Sequence, residues 1–322
     1  MRFSLRHATM NNVQLSILIA AHNCGHYLTG TLDSIVASLG NALSKTEIIV
    51  VNDASTDHTQ AIVDDYARRL PQLKSSRTDF RNVGKVRNHA VQLASGDYIL
   101  MVDGDDTLLA GALETQLATV QQAAPDIFLS HIVEVREPNA DLKWQVSGYE
   151  ALTQHQAIER FLIHKDYQAH FIGQFFSRQL LLQHAFPEFI CYEDTWLFPL
   201  LLTKSKKTLF TRAGFYLYRK HQQSLSSTID EHKITCLIEA TAHMDDVLPV
   251  QYEHLITCHW LDIANRYHDT LSGTAQGARI GERIRRVGLA RFLLNGKIRM
   301  SYKRKMLKVR KRGLSLPRPK NL

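Results

Sequence analysis

The stretch "YILMVDGDDTLL", residues 98–109, places an apolar run directly before three acids in four positions and then turns apolar again. Tyr98–Val102 shows no polar alternation, as expected of a strand buried on both faces in a parallel sheet. Asp103, Asp105 and Asp106 stand at its carboxyl end, where their mutual repulsion calls for a positive charge.

The same arrangement recurs upstream. "LSILIA" (Leu15–Ala20) and "EIIVV" (Glu47–Val51) are short apolar runs, and each ends in a polar cluster, "AHNCGH" and "NDASTD". Leu28, Leu32, Ile35 and Leu39 fall on one helical face, as do Ile62, Tyr66 and Leu70 before Pro71. A further helix is expected to start near Gly84 and end at Ser95–Asp97, and Leu113, Leu117 and Val120 stripe the helix after the acids. This strand–helix alternation predicts an α/β fold with a doubly wound, mostly parallel sheet. Ligands of such sheets sit at the carboxyl ends of the strands, where all three polar clusters fall.

Beyond Pro125 the pattern loosens. "DIFLSHIVEV" reads as a strand, "KWQVSG" as a weaker one, and "GQFFSRQLLLQHAFPEF" as a strand end and short helix. "EDTWLFPLLL" opens with acids suited to a helix N-terminus. From Asp230 to about Arg291 the pattern is mostly helical.

The 322 residues are 44% hydrophobic and 22% charged, ordinary for a globular chain that can bury a large core. No apolar run approaches the ~20 residues of a membrane span, and "MRFSLRHATMNN" lacks the apolar core of a signal peptide. Cys24, Cys191, Cys236 and Cys258 form no C-x-x-C pair, so a reduced cytoplasmic setting is expected rather than disulfides or zinc. The net charge of +8 is unevenly held: residues 296–322 carry eleven Lys and Arg and no acid, leaving −3 for the rest. A nucleic-acid groove in the body is therefore not expected.

Three cations could answer the acidic cluster. In a calcium loop, Asp103, Asp105 and Glu114 occupy positions one, three and twelve, but Leu108 stands where glycine is needed. "DGDDT" also matches the D-x-D-x-T of haloacid dehalogenase-like, magnesium-dependent phosphohydrolases, with Asp103 as nucleophile and Asp105 as acid/base. Against this, two strand–helix units precede the motif. The third cation is the metal of a nucleoside-diphosphate sugar.

That third reading rests on linked motifs. "SILIAAHNCGHYLTGTLDSI", "EIIVVNDASTDHT" and "NVGKVRNHAVQLASGDYILMVDGDDTL" resemble, in order and spacing over residues 14–110, the nucleotide-sugar half of family 2 glycosyltransferases. "YEDTWLFPLLL" and "YRKHQQSLS" resemble motifs of that family's second half, extending the resemblance to about two thirds of the chain. Asn52, Ala54 and Val86 depart from the family's usual aspartate, glycine and alanine. The resemblance implies a Rossmann-like A-type glycosyltransferase domain with a mostly parallel central sheet, plus a helical C-terminal region. Its expected parts are a tail (1–12), a transferase domain (13–222, divided into a nucleotide-sugar half, 13–110, and an acceptor half, 111–222), a helical region (223–295) and a basic amphipathic tail (296–322).

The resemblance further implies inverting, Mn- or Mg-assisted transfer from a UDP-sugar to a hydroxyl of a surface glycan such as lipopolysaccharide or capsule. Ala20, His22, Asn23, Asp53, Arg87, Asp103, Gly104 and Asp105 would bind the nucleotide sugar. Asp53 would accept the uracil N3–H, and Asp103 would contact the ribose. Asp105 and Asp106 would face the metal, with His221 reaching it or the diphosphate; Arg219 and Lys220 compete for that place. Asp194 would serve as general base, with Glu193 orienting acceptor or base. Plainer readings stand beside these: Asp53 as a helix cap, "ED" as a helix opening, Arg87 as a brace, and a chain that binds a sugar nucleotide or glycan without catalysis. His254 and His259, five apart, are read as structural.

In the tail, Ile298, Tyr302, Met306 and Val309 form an apolar stripe among the basic residues. Such a helix can lie on anionic lipid, which would place the chain at the inner face of the cytoplasmic membrane beside a lipid-linked acceptor. A solvated tail is the alternative.

Overall fold

The computed structural model describes residues 13–136, 142–220 and 230–314. Among the described residues nine strands form one mixed sheet: β1 (Leu15–Ala21), β2 (Thr46–Asp53), β3 (Leu73–Thr78), β4 (Tyr98–Asp103), β5 (Thr107–Leu108), β6 (Ile127–Val135), β7 (Tyr149–Leu152), β8 (Phe175–Ser177) and β9 (Thr208–Arg219). The order is β3-β2-β1-β4-β8-β6-β9-β5, with β7 against β9. Strands β1 to β4 are mutually parallel; β8 then pairs antiparallel with both β4 and β6. The apolar runs that predict β1, β2 and β4 have their expected cause, since every residue of β2 is buried. Because β1 lies between β2 and β4, the chain reverses its direction of winding there, which leaves a crevice at the carboxyl ends.

Leu28, Leu32, Ile35 and Leu39 of the helix Gly25–Leu39 are fully buried against one face of the sheet. Each such side chain contributes about 1.5–3 kcal/mol. In the helix Thr59–Arg69 the buried line is Thr59, Val63 and Tyr66, so Ile62 sits at its margin rather than its centre. The helix Val83–Leu93 covers the opposite face, which shares one continuous core with the C-terminal helices.

At the amino ends of the strands a buried carboxylate joins four segments. Glu47 accepts hydrogen bonds from Ser16 Oγ (2.6 Å), from Ser95 N (2.6 Å) and Oγ (2.8 Å), and from Lys74 Nζ (2.6 Å). Burial alone would raise its pKa; the lysine and the other donors outweigh that and hold it down at about 2.

Two strands differ from the sequence reading. β3 is an edge strand whose residues, apart from Leu73, are wholly or partly exposed, so no apolar run marks it. β9 is twelve residues long with Arg212, Ala213 and Gly214 in its middle, and its pairing with β6 shifts register there. "KWQVSG" is not a strand; β7 begins just after it.

The C-terminal region is helical as expected, through Glu231–Val247, Glu253–Arg266, Ala275–Arg286 and shorter turns. The tail departs from expectation. Met300–Arg312 is a helix, but Ile298, Met306 and Val309 are buried in the main core, and Tyr302 donates to Asp262 (2.8 Å). The stripe expected to enter lipid faces the helix Glu253–Arg266 instead, because burying it within the chain removes the same apolar surface from water. Among the described residues no helix is long and apolar enough to cross a membrane.

Candidate active site

The three polar clusters interlock before they meet any ligand. Asn23 takes a left-handed φ of 48°, a conformation asparagine tolerates better than most residues. Its Oδ1 accepts from Thr56 N (2.8 Å), and its own N–H donates to Ser55 Oγ (2.9 Å). His22 Nδ1 lies 2.6 Å from the Asp53 carbonyl. Asp57 caps two helix starts at once, accepting from Gly25 N and Thr59 N at 2.9 Å each. The capping role considered for Asp53 thus belongs to Asp57. Asp53 is buried and accepts from Thr78 Oγ1 (2.9 Å) and Phe80 N (2.6 Å), both through Oδ1.

Asp103 pairs in register with Ala20 across β1 and β4, at the edge of the same crevice. Gly104 leaves no room for a side chain, since a Cβ there would approach Cys24 Sγ to 2.6 Å. Asp103, Gly104 and Asp105 line the cleft with Ala20, His22, Asn23, Asp53 and Arg87.

Asp106 does not. It is fully buried, with Oδ2 accepting from the Tyr216 hydroxyl (2.6 Å) and Oδ1 from Arg219 N (2.7 Å). The expectation that Asp106 shares a metal with Asp105 is corrected accordingly: both its oxygens are spent on β9 and none reaches the cleft. Tyr216 also accepts from Asp103 N (3.0 Å), so the pair clamps the acidic loop to the sheet. Burial, with Asp103 nearby, pushes the Asp106 carboxyl up to about 8. His221 lies outside the described residues. Arg219 stacks over Tyr27 and its Nε donates to the Asp105 carbonyl (3.2 Å), while Lys220 pairs with Glu134.

Arg87 joins the two halves of the motif. It is buried, 2.5 Å from Glu193 Oε1 and 3.6 Å from Asp103 Oδ1. It therefore braces Glu193, at the start of the helix Glu193–Lys204, against the end of β4. Burial raises the Asp103 carboxyl to about 6, with Arg87 opposing the rise. Glu193 is also raised by burial in spite of Arg87. Asp194 is raised for the same reason, and its Oδ1 accepts from Thr195 N (2.7 Å). Tyr192 just before them holds a left-handed φ of 64°, the kind of backbone strain that gathers at functional sites.

The cleft, about 1100 Å³, runs from the ends of β1, β2 and β4 past Glu193 and Asp194 to the C-terminal helices. Its far wall includes Tyr192, which opens the "YEDTW" motif, and His164, His170, His259, Arg266 and Tyr267, none of which carries a motif legible in the sequence. His259, read as structural, lines this wall while its Nε2 contacts the Leu162 carbonyl at 3.1 Å. His254 contacts Asn295 (3.1 Å) and is not among the lining residues.

Asp103 and Asp105 present hard carboxylate oxygens to the cleft, yet among the described residues no three His, Cys, Asp or Glu converge on one point. That suits an ion held by one or two carboxylates that takes its remaining ligands from phosphate and water.

Residues 16–183 match the family model described as glycosyl transferase family 2. An uncharacterized glycosyltransferase of Mycoplasma pneumoniae, the MG025 homolog, is 37% identical over 101 residues, 31% of this chain and 33% of that protein. The poly(ribitol-phosphate) beta-N-acetylglucosaminyltransferase TarS of Staphylococcus aureus is 33% identical over 119 residues, 36% of this chain and 20% of TarS. The chain spans about a third of the length of the Mycoplasma protein and of the Streptococcus pneumoniae glycosyltransferase GlyA. The structure of TarS 1–349 in complex with UDP-GlcNAc superposes with a TM-score of 0.67 at 20% identity, covering 93% of this chain and 92% of that one, a likeness of fold. The phosphohydrolase use of Asp103 runs against the family match, and it has Arg87 beside it, already paired with Glu193.

Proposed function

The chain belongs to glycosyl transferase family 2, and from that premise we propose that it transfers a sugar, with inversion, from a UDP-sugar to a hydroxyl of a glycan. The observation that carries this reading is the convergence of Asp53, Asp103, Asp105 and Asp194 on one cleft at the carboxyl ends of three parallel strands. The UDP-GlcNAc bound by TarS supports the choice of donor.

Asp53, held through one oxygen by β3, accepts from the base. Asp103 binds the ribose. Asp105, aided by Asp103, would hold Mg²⁺ or Mn²⁺, which would stabilise the charge developing on the departing diphosphate. Asp194 removes the acceptor proton; burial raises its pKa, the direction that makes a carboxylate a stronger base, and general-base assistance is worth about 10²–10⁴ in rate. Glu193 is a positioning residue, since Arg87 holds its carboxylate. The hydroxyl attacks opposite the leaving group, through an oxocarbenium-like transition state.

Thermal shift across nucleoside diphosphates with Mn²⁺, followed by a nucleotide-sugar panel, tests the reading. UDP with Mn²⁺ is expected to raise Tm, and Asp105→Asn to abolish the rise. Asp194→Asn should retain the shift but lose transfer by about 10²–10⁴. Absence of a shift with every nucleoside diphosphate would overturn the reading.

A further inference from the structure

The cleft does not end at Asp194: with a volume of about 1100 Å³, at the upper end of ordinary small-molecule sites, it is lined further on by residues 164–172 and by the C-terminal helices, an arm beyond the carboxyl ends of the strands. Resting on the transferase reading, we propose that this arm and the outer face of the Met300–Arg312 helix bind a polyanionic acceptor, a chain with anionic groups repeated along its backbone.

Charge accounting within the arm supports this. Its acids are answered from inside the protein: Asp262 by the Tyr302 hydroxyl and Lys305, Glu193 by Arg87. Burial lowers the pKa values of His164, His170 and His259, the last to about 4, so these rings are neutral near pH 7. Arg266 is exposed on the wall, where its guanidinium lies 6.0 Å from the centre of the Tyr267 ring. Arg266 thus offers an exposed cation to a ligand, while Asp262 and Glu193 are paired within the protein.

The charge continues outward from the arm. Arg299 lies close enough to bear on His164 and donates to the Ile163 carbonyl (3.2 Å), which sets it at the outer end. From there the helix extends about 20 Å with Arg304, Lys308 and Lys311 exposed and no acid between residues 296 and 314. A lipid surface would draw on apolar residues as well; the stripe of Ile298, Met306 and Val309 is buried, and Met300 and Leu307 are the large apolar side chains exposed among the cations of this helix. What the helix presents outside is mainly charge, a surface suited to a flexible anionic chain whose terminal hydroxyl has entered the arm toward Asp194.

The test uses the full chain, short inorganic polyphosphate as the probe and neutral dextran as the control, by calorimetry at two salt concentrations. Polyphosphate is expected to bind, more weakly at higher salt, and dextran not to bind. Arg266→Gln should weaken binding about tenfold, the size of one charge-assisted contact, with an unchanged Tm and an unchanged shift by UDP. Lys308→Gln with Lys311→Gln, both on the exposed face, should weaken it as well. No binding of polyphosphate, or equal binding by all variants, overturns the proposal. Binding to phosphatidylglycerol vesicles without binding to soluble polyphosphate also overturns it, in favour of a membrane surface. The UDP shift is read in the same samples: if it persists while polyphosphate fails, only this inference falls, and if it is absent the transferase reading falls first.

Discussion

At the scale of single residues, neighbouring acids in one motif have separate fates. Asp103 and Asp105 line the cleft, whereas Asp106, one position on, is buried under Tyr216 and Arg219. A raised carboxyl pKa means that the folded protein holds a proton the unfolded chain has released. The contribution is therefore complete below the unfolded value of about 4 and is lost as pH rises through about 8 for Asp106 and about 6 for Asp103. Asp106→Asn, which cannot ionise, should make Tm fall less steeply than in the unaltered chain between about pH 4 and 8, measured by scanning calorimetry. An identical slope would show that Asp106 is not the group responsible. Ala54 offers a second residue-level test. Its φ of 52° explains why glycine suits this position in the family pattern, since a Cβ is strained there. Ala54→Gly should stabilise the protein by about 0.5–1 kcal/mol, read as a higher denaturant midpoint at constant slope.

At the scale of elements, legibility followed burial. β1, β2 and β4 are covered on both faces and so are written as apolar runs; β3 lies at an edge and carries polar residues that pattern reading passes over. Glu47, at the start of an apolar run, gives no local sign that it fastens β1, β2, β3 and the turn before β4. Its lowered pKa gives the opposite pH sign to Asp106: the stabilisation is present above an unfolded value of about 4.3 and is lost as pH falls through about 2. Glu47→Gln should cost about 2–3 kcal/mol near neutrality and less in acid, by urea denaturation at pH 7 and pH 3. A loss that is the same at both pH values would assign the effect to packing rather than charge.

At the scale of the whole molecule, the C-terminal helices make one core with the sheet and close the far wall of the cleft. Truncation after Asn295 would uncover the surface now covered by Ile298, Met306, Val309 and Leu314. A loss of about 6 kcal/mol or more follows from burial alone, so Tm should fall by more than ~10 °C, checked by differential scanning fluorimetry. An unchanged Tm would mean that the last helix does not belong to the core.

The sequence by itself determined the parallel half of the sheet and the polar, cleft-lining ends of its strands, because buried strands must be apolar and the polar clusters after them break that pattern sharply. It also marked Asp53, Asp103, Asp105, Arg87 and Asp194, which stand in linked motifs. Only the tertiary structure decided which acids reach the cleft, that Arg87 joins Glu193 to the end of β4, and that the tail's apolar stripe turns inward. Each of these depends on a partner distant in the chain: Tyr216 for Asp106, Glu193 for Arg87, and the helix Glu253–Arg266 for the last helix. Local spacing carries no information about such partners, and burial, once they meet, sets both the charge state and the exposure of the residues they cover.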